Sequence, residues 1–312
     1  MAAEDAFEIR PVKGKGVGVF ATRPIGRGTL LISEAPLFTT ASLTNPATFE
    51  RDLGRIIREL PKESQRAFLS LHNNSPGSEP FSNIMRSNGY PLGPGSDVGG
   101  IFPLVARMNH ACNANCQHAW DARLGRQQVH AVRDVAEGEE LTLAYHVGGP
   151  KKERQAALKT YFGFQCECEL CSLPKAESQA SDERMEAMAR LDEAIGVPGR
   201  PPMEALADCK EILRLYGEER VVDLRVPRAY YDAFQICAKH SDEARAAVFA
   251  KRAEEARRAC EGASEEAENL QSLAANPRRW EGFGKTKKLK TVKEDMPSAL
   301  SGKAFEKWLW RS

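Results

Sequence analysis

Apolar and polar positions change their rhythm several times along the chain, and each change predicts a different kind of element. From Phe7 to Leu37, β-branched and apolar residues are punctuated by Gly14, Gly16, Gly18, Gly26 and Gly28, a pattern of short strands joined by tight turns. From Leu43 the period becomes helical: Phe49, Leu53, Ile56, Ile57 and Leu60 share a face, Pro61 stops the run, and Phe68, Leu69 and Leu71 suggest a second short helix. The stretch 43–74 therefore reads as a helical insertion. Residues 73–100, crowded with Gly, Pro, Ser and Asn, read as loop. Strand patterns resume at 101–105, 128–135 and 141–145, with Glu137-Gly138 as the turn between the last two, and 151–162 reads as a helix.

Beyond Ala176 the composition shifts to Ala, Glu, Arg and Leu. Helical periodicity runs through 185–195, 203–216, 229–238 and 243–260, with Gly196, Pro198, Gly217 and Pro227 at the breaks. An all-helical second lobe over 176–275 is predicted. The remainder, 276–312, carries Arg278, Arg279, Lys285, Lys287, Lys288, Lys290 and Lys293 around Trp280 and Phe283. A solvated, partly disordered basic tail is the favoured reading, with an import signal or nucleic-acid patch as its rival. Trp308, Leu309 and Trp310 are expected to cap the helical lobe.

At 312 residues and 42% hydrophobic, the chain is long and apolar enough for a globular protein with two lobes. A formal charge of +1 gives no electrostatic footprint for nucleic acid, so direct binding to it is not expected. Eight cysteines are too sparse for a disulfide scaffold and point to a reducing compartment. No apolar run approaches the length of a membrane helix, and residues 1–10 lack the features of a signal peptide. The expectation is a soluble intracellular monomer, nuclear or cytoplasmic, without a membrane partner.

The chemistry-bearing residues narrow this further. Cys166, Cys168 and Cys171 form a Cys-x-Cys-x-x-Cys cluster whose members cannot all pair as disulfides. Structural zinc takes four tetrahedral ligands, so a fourth donor must come from a distant segment. Cys112 is the first candidate and Cys116 its rival. His118, Cys209, Cys237 and Cys260 are scattered and read as interior residues.

Four motifs stand in a fixed order: Gly-Lys-Gly-Val-Gly-Val-Phe-Ala (14–21), Met-Asn-His-Ala-Cys-Asn-Ala-Asn (108–115), Gly-Glu-Glu-Leu-Thr-Leu-Ala-Tyr (138–145) and the cysteine cluster. Together they resemble the SET-domain lysine methyltransferases over residues 7–173, within the split-SET branch of SET-and-MYND and fungal SET-domain proteins. The resemblance implies an α+β fold: a β-rich SET domain over 7–147, a post-SET zinc segment over 148–173, and the helical lobe as one wall of a substrate channel. It implies S-adenosylmethionine and zinc as cofactors and a lysine of a histone or another protein as substrate. The match of Cys112 to the family motif places it ahead of Cys116.

The resemblance also assigns roles. Tyr145 matches the active-site tyrosine, whose hydroxyl orients the lysine amine; a strand tyrosine packed in the core is the alternative. Asn109 and His110 match a cofactor-binding pair, and Asn115 a residue that ties the crossing backbone together. Lys15, Gly16, Val17 and Gly18 would approach the methionine end of the cofactor, and Phe164 its adenine or sulfonium side, although Phe164 also fits a plain core position. Ala114 and Ala111 depart from the usual proline and serine without removing a ligand or reacting group. With no cysteine before Cys112, the zinc finger of the SET-and-MYND proteins is missing. A SET-fold interaction module that transfers nothing is the rival to catalysis; Tyr145 and the Asn109-His110 pair favour the enzyme.

Overall fold

The computed structural model describes residues 4–312, which divide into two compact units. The first comprises residues up to Val147 with Lys152–Ser172, and the second Gly148–Lys151 with Leu173–Ser312. In chain order the first unit contains β1 (Phe7–Val12), β2 (Gly16–Ala21), β3 (Leu30–Glu34), α1 (Phe49–Glu59), α2 (Lys62–Leu69), α3 (Pro80–Asn88), β4 (Gly89–Pro91), β5 (Gly99–Ile101), β6 (Cys116–Asp121), β7 (Arg126–Ala131) and β8 (Glu140–Leu141). The helix α4 (Lys151–Phe162) then leads to the cysteine cluster. Small antiparallel sheets, β1-β2-β8, β3-β7-β6 and β4-β5, surround a core that includes Val19, Leu31, Phe102, Val129 and Leu141. The β1-β2 turn needs glycine, since Gly14 and Gly16 both take φ of +78°, which residues bearing a Cβ seldom adopt.

Leu53 and Ile57, one turn apart on α1, bury against Phe68 of α2 and Ile84 of α3. The third of these helices corrects the reading of 73–100 as loop. Its first-turn N–H groups, at Phe81 and Ser82, donate to the Glu50 carboxylate on α1 at 3.0 and 2.7 Å. The orphan donors of the helix start are thus satisfied by a residue some thirty positions away, beyond the reach of a local capping pattern. The strand expected over 101–105 ends at Ile101. The Glu34 carboxylate accepts from the Leu104 and Val105 N–H groups, turning the chain into a short 3-10 turn over Val105–Arg107. The strand β6 was not anticipated, because Gln117 and His118 blur its alternation; its place beside β7 supplies the missing order.

The second unit is helical: α5 (Lys175–Gly196), α6 (Pro202–Glu218), α7 (Arg225–Lys239), α8 (Glu243–Glu261), α9 (Glu265–Ala275) and α10 (Gly302–Leu309). Leu206, Phe234, Phe249 and Leu273 lie in its core. The partial disorder expected of 276–312 is corrected. Leu289, Leu309 and Trp310 are buried in that same core, with the Trp310 ring 4.6 Å from that of Phe249. Fully buried Asp242 accepts from Arg311 Nη2 at 2.6 Å, Arg311 Nε at 3.0 Å and Thr291 Oγ1 at 2.6 Å. Apolar burial and a paired interior charge therefore hold the segment, while Lys285, Lys287, Lys288, Lys290 and Lys293 remain exposed. No helix of the described residues is long and apolar enough to cross a membrane.

Asp232 on α7 makes this unit's stability sensitive to pH. Burial pushes its carboxyl up to about 6, against the Arg228 guanidinium and with the help of the Asp192 charge. The folded state thus favours the protonated form. Its stabilising contribution is complete below the unfolded value of about 3.9 and is lost as pH rises through about 6. Asp232→Asn is expected to raise Tm by roughly 2–4 °C at pH 8, with the gain shrinking towards pH 4. Thermal unfolding followed by circular dichroism across that range checks it.

Candidate active site and metal centre

The glycine strand is drawn tightly against the centre of the first unit. A Cβ on Gly18 would lie 2.5 Å from Glu140 Oε1, 2.9 Å from Val12 Cγ2 and 3.0 Å from Asn109 Nδ2, so a larger residue there would displace these side chains. That approach lets Asn109 Nδ2 donate to the Val17 carbonyl at 2.9 Å and to Glu140 Oε1 at 2.7 Å. Lys15 Nζ stands 4.0 Å from Glu140 Oε2. A Cβ on Gly16 would meet open space, leaving room above the strand. Lys15, Gly16, Val17, Gly18 and Asn109 are therefore brought together around Glu140.

Residues 109–116 then run alongside 140–145. Leu143 N–H donates to the Asn109 carbonyl at 2.9 Å, and Ala111 N–H to the Leu143 carbonyl at 3.1 Å. Asn115 Nδ2 donates to the Glu140 carbonyl at 2.8 Å while its Oδ1 accepts from Thr142 N–H at 2.8 Å. Asn115 is buried and ties the two segments together. This crossing carries Asn109, His110 and Cys112 past the segment that follows β8 and ends at Tyr145.

Buried His110 links the two sides. Its Nδ1 accepts from Tyr145 N–H at 3.0 Å and its Nε2 lies 3.3 Å from Cys112 Sγ. Burial pulls its pKa down to about 4, so the imidazole is neutral near pH 7. Because Nδ1 accepts a backbone hydrogen bond, the ring proton sits on Nε2 and faces the sulfur. The Tyr145 hydroxyl donates to the Met108 carbonyl at 2.7 Å. Burial, reinforced by the charge of Glu140, pushes its pKa up to about 12, which keeps the phenol neutral and unsuited to act as a base. With its proton committed to Met108, the oxygen retains lone pairs able to accept from an amine. The Tyr145 ring is 4.9 Å from Phe162 and meets Phe164 edge-on at 6.4 Å; Phe164 also lies 6.0 Å from His110.

The sulfurs of Cys112, Cys166, Cys168 and Cys171 all lie within 4.8 Å of one another. Cys112 and Cys171, from two motifs distant in the chain, have sulfurs 3.6 Å apart. Tetrahedral zinc with Zn–S bonds of about 2.3 Å places its sulfurs about 3.8 Å apart, and four soft thiolates are the donor set of a closed structural site. The residues therefore fit a zinc ion. Cys116 lies instead in the sheet core, outside the cluster. Hydrogen bonding among the four sulfurs lowers Cys168 and Cys171 and raises Cys112 and Cys166, so the cluster titrates as one unit. On α4, the Gln155 side chain clamps Cys166 through both backbone groups, accepting from its N–H at 2.9 Å and donating to its carbonyl at 2.7 Å.

Three contributors escaped the sequence reading: Glu140, Gln155 and Phe162. Glu140 stood within the quoted Gly-Glu-Glu-Leu motif, and Phe162 precedes Phe164 by two, but their partners are remote in the chain. Gln155 carried no distinguishing signal.

Glycine strand, crossed segments, terminal tyrosine and thiol cluster define a SET domain, and a SET-domain family profile matches residues 16–146. The chain belongs to the SET-domain protein-lysine methyltransferases, in the split-SET branch. It is 32% identical over 279 residues to the histone-lysine N-methyltransferase set5 of Schizosaccharomyces pombe, spanning 88% of this chain and 85% of that protein. Similarity to human histone-lysine N-methyltransferase SMYD3 is 28% over 102 residues, 30% of this chain and 23% of that protein. Similarity to Arabidopsis thaliana histone-lysine N-methyltransferase ATXR2 is 41% over 74 residues, 23% of this chain and 15% of that protein. The α+β fold with its helical insertion and helical C-terminal region accords with that membership.

Proposed function

We propose that this protein transfers a methyl group from S-adenosylmethionine to a lysine side chain of a histone, with a structural zinc bracing the site. The observation that carries the reading is the convergence, in one unit, of the glycine strand, the Asn109-His110 crossing and Tyr145 beside four clustered thiols. The cofactor supplies an electrophilic methyl group on a sulfonium. Lys15, Gly16, Val17 and Gly18 present backbone to the cofactor, with open space over Gly16, while Asn109 and His110 form the adjoining wall. Phe164 offers an aromatic edge beside them.

The chain's own contribution is orientation and desolvation. A lysine amine has an ordinary pKa near 10.4, so the attacking free base must be generated where ammonium is disfavoured. The Tyr145 oxygen, its proton held by Met108, would accept an amine N–H and so orient the nitrogen. Phe162 and Phe164 keep water from the ring. Cys112, Cys166, Cys168 and Cys171 hold the zinc. The names of the relatives support the histone as substrate class, and a nuclear or cytoplasmic location suits it.

Incubation of the full chain with methyl-labelled S-adenosylmethionine and core histones, followed by mass spectrometry, tests this. Label on histone lysine is expected. Label only on other proteins of a cell extract would replace the substrate class. A chain that binds the cofactor but labels nothing would remove the transferase reading.

A further inference from the structure

Arg154 stands out among the charged groups because it is only 2% exposed, in a unit where most charges reach water. It projects from α4 with Nη2 3.9 Å from Cys171 Sγ, the outer range of a hydrogen bond to sulfur. Cys171 Sγ in turn lies 3.6 Å from Cys112 Sγ, so the guanidinium sits beside sulfurs supplied by the crossing segment and by the segment after α4. The next residue, Gln155, clamps Cys166, and Leu158, one turn on and fully buried, anchors the same helix face.

Four thiolates around one divalent zinc carry a net charge of about −2. Placing that charge in an apolar interior is costly unless a cation lies close to it. Arginine suits the position because its planar fork can face two sulfurs at once and stays charged when buried. We propose that Arg154 is a positioning residue of the metal centre, supplying the interior counter-charge that lets thiolates from two distant segments share one ion. This rests on the zinc reading of the cysteine cluster. It assigns α4 a role beyond joining two parts of the chain: through Arg154 and Gln155 it prepares the ligands before the metal arrives.

The test compares Arg154→Met, Arg154→Lys and Leu158→Ala in the full chain. Zinc affinity is read by competition with a graded series of chelators, and the sulfur-to-metal charge-transfer band is read after cobalt substitution. Arg154→Met is expected to weaken zinc binding about 10–100-fold, the usual cost of losing an outer partner of a metal ligand, and to shift the band. Arg154→Lys, which keeps the charge, is expected to recover most of the affinity. Leu158→Ala, which loosens the same helix face without removing charge, is expected to lower Tm while leaving the band unmoved. Native zinc affinity in Arg154→Met would overturn the role of Arg154 while leaving the metal site standing. Equal losses in Arg154→Met and Leu158→Ala, with no rescue by lysine, would reduce Arg154 to packing. A wild-type chain without affinity for zinc would instead overturn the metal reading on which the proposal depends.

Discussion

Cys168→Ser is expected to purify with little zinc and with its cofactor affinity lowered in parallel. Cys168 is one of four sulfurs gathered within 4.8 Å, and a serine hydroxyl is a poor substitute for a thiolate. Losing an outer partner of a ligand costs about 10–100-fold in metal affinity, and losing a ligand itself should exceed the upper end of that range. The loss should travel further because Cys112, another member of the cluster, faces His110 Nε2, while His110 Nδ1 holds the Tyr145 backbone N–H. Asn109, whose amide binds the Val17 carbonyl, adjoins that residue. Elemental analysis of the purified variant and calorimetric titration of S-adenosylmethionine measure the two effects separately. Zinc-free protein that binds cofactor normally would break the proposed coupling between the metal and the pocket.

Tyr145→Phe is expected to slow methyl transfer roughly 10- to 100-fold, about 1.4–2.8 kcal/mol of barrier, while cofactor affinity stays within a factor of about three. The substitution keeps the ring that packs on Phe162 and removes only the hydroxyl that donates to Met108. An interaction made with the amine at the moment of transfer should register in the rate of a single turnover. A merely structural tyrosine would instead lose binding and stability together. Single-turnover transfer to one identified substrate, set beside calorimetric cofactor affinity, separates the cases. Unchanged transfer would take Tyr145 out of the chemistry.

The thiol cluster was legible because thiol chemistry confines itself to short spacings: three of its four cysteines stand within six positions, and the fourth lies in a motif of its own. The glycine strand was legible for a related reason: Gly14 and Gly16 take φ of +78°, and a Cβ on Gly18 would press on Glu140 and Asn109. Helix α6 was legible from period, its buried residues recurring on one face. By contrast, α3 was hidden because its cap is Glu50 of another helix. The C-terminal segment was misjudged because its lysines do face water while Leu289, Leu309 and Trp310 do not. Composition averages over those two faces.

The sequence by itself therefore determined the family motifs, the thiol donor set and the succession from strand-rich to helical lobe, all of which depend on residue types at short separations. The tertiary structure alone decided that Glu140 organises the glycine strand with Asn109, that neutral His110 joins Tyr145 to Cys112, that Arg154 lies buried against the sulfurs, and that Asp242 secures Arg311. Each of these is a polar contact between residues that only the fold brings together. Its strength comes from burial, which weakens competition from water and makes an unpaired group costly, and neither condition is written in the local order of residues.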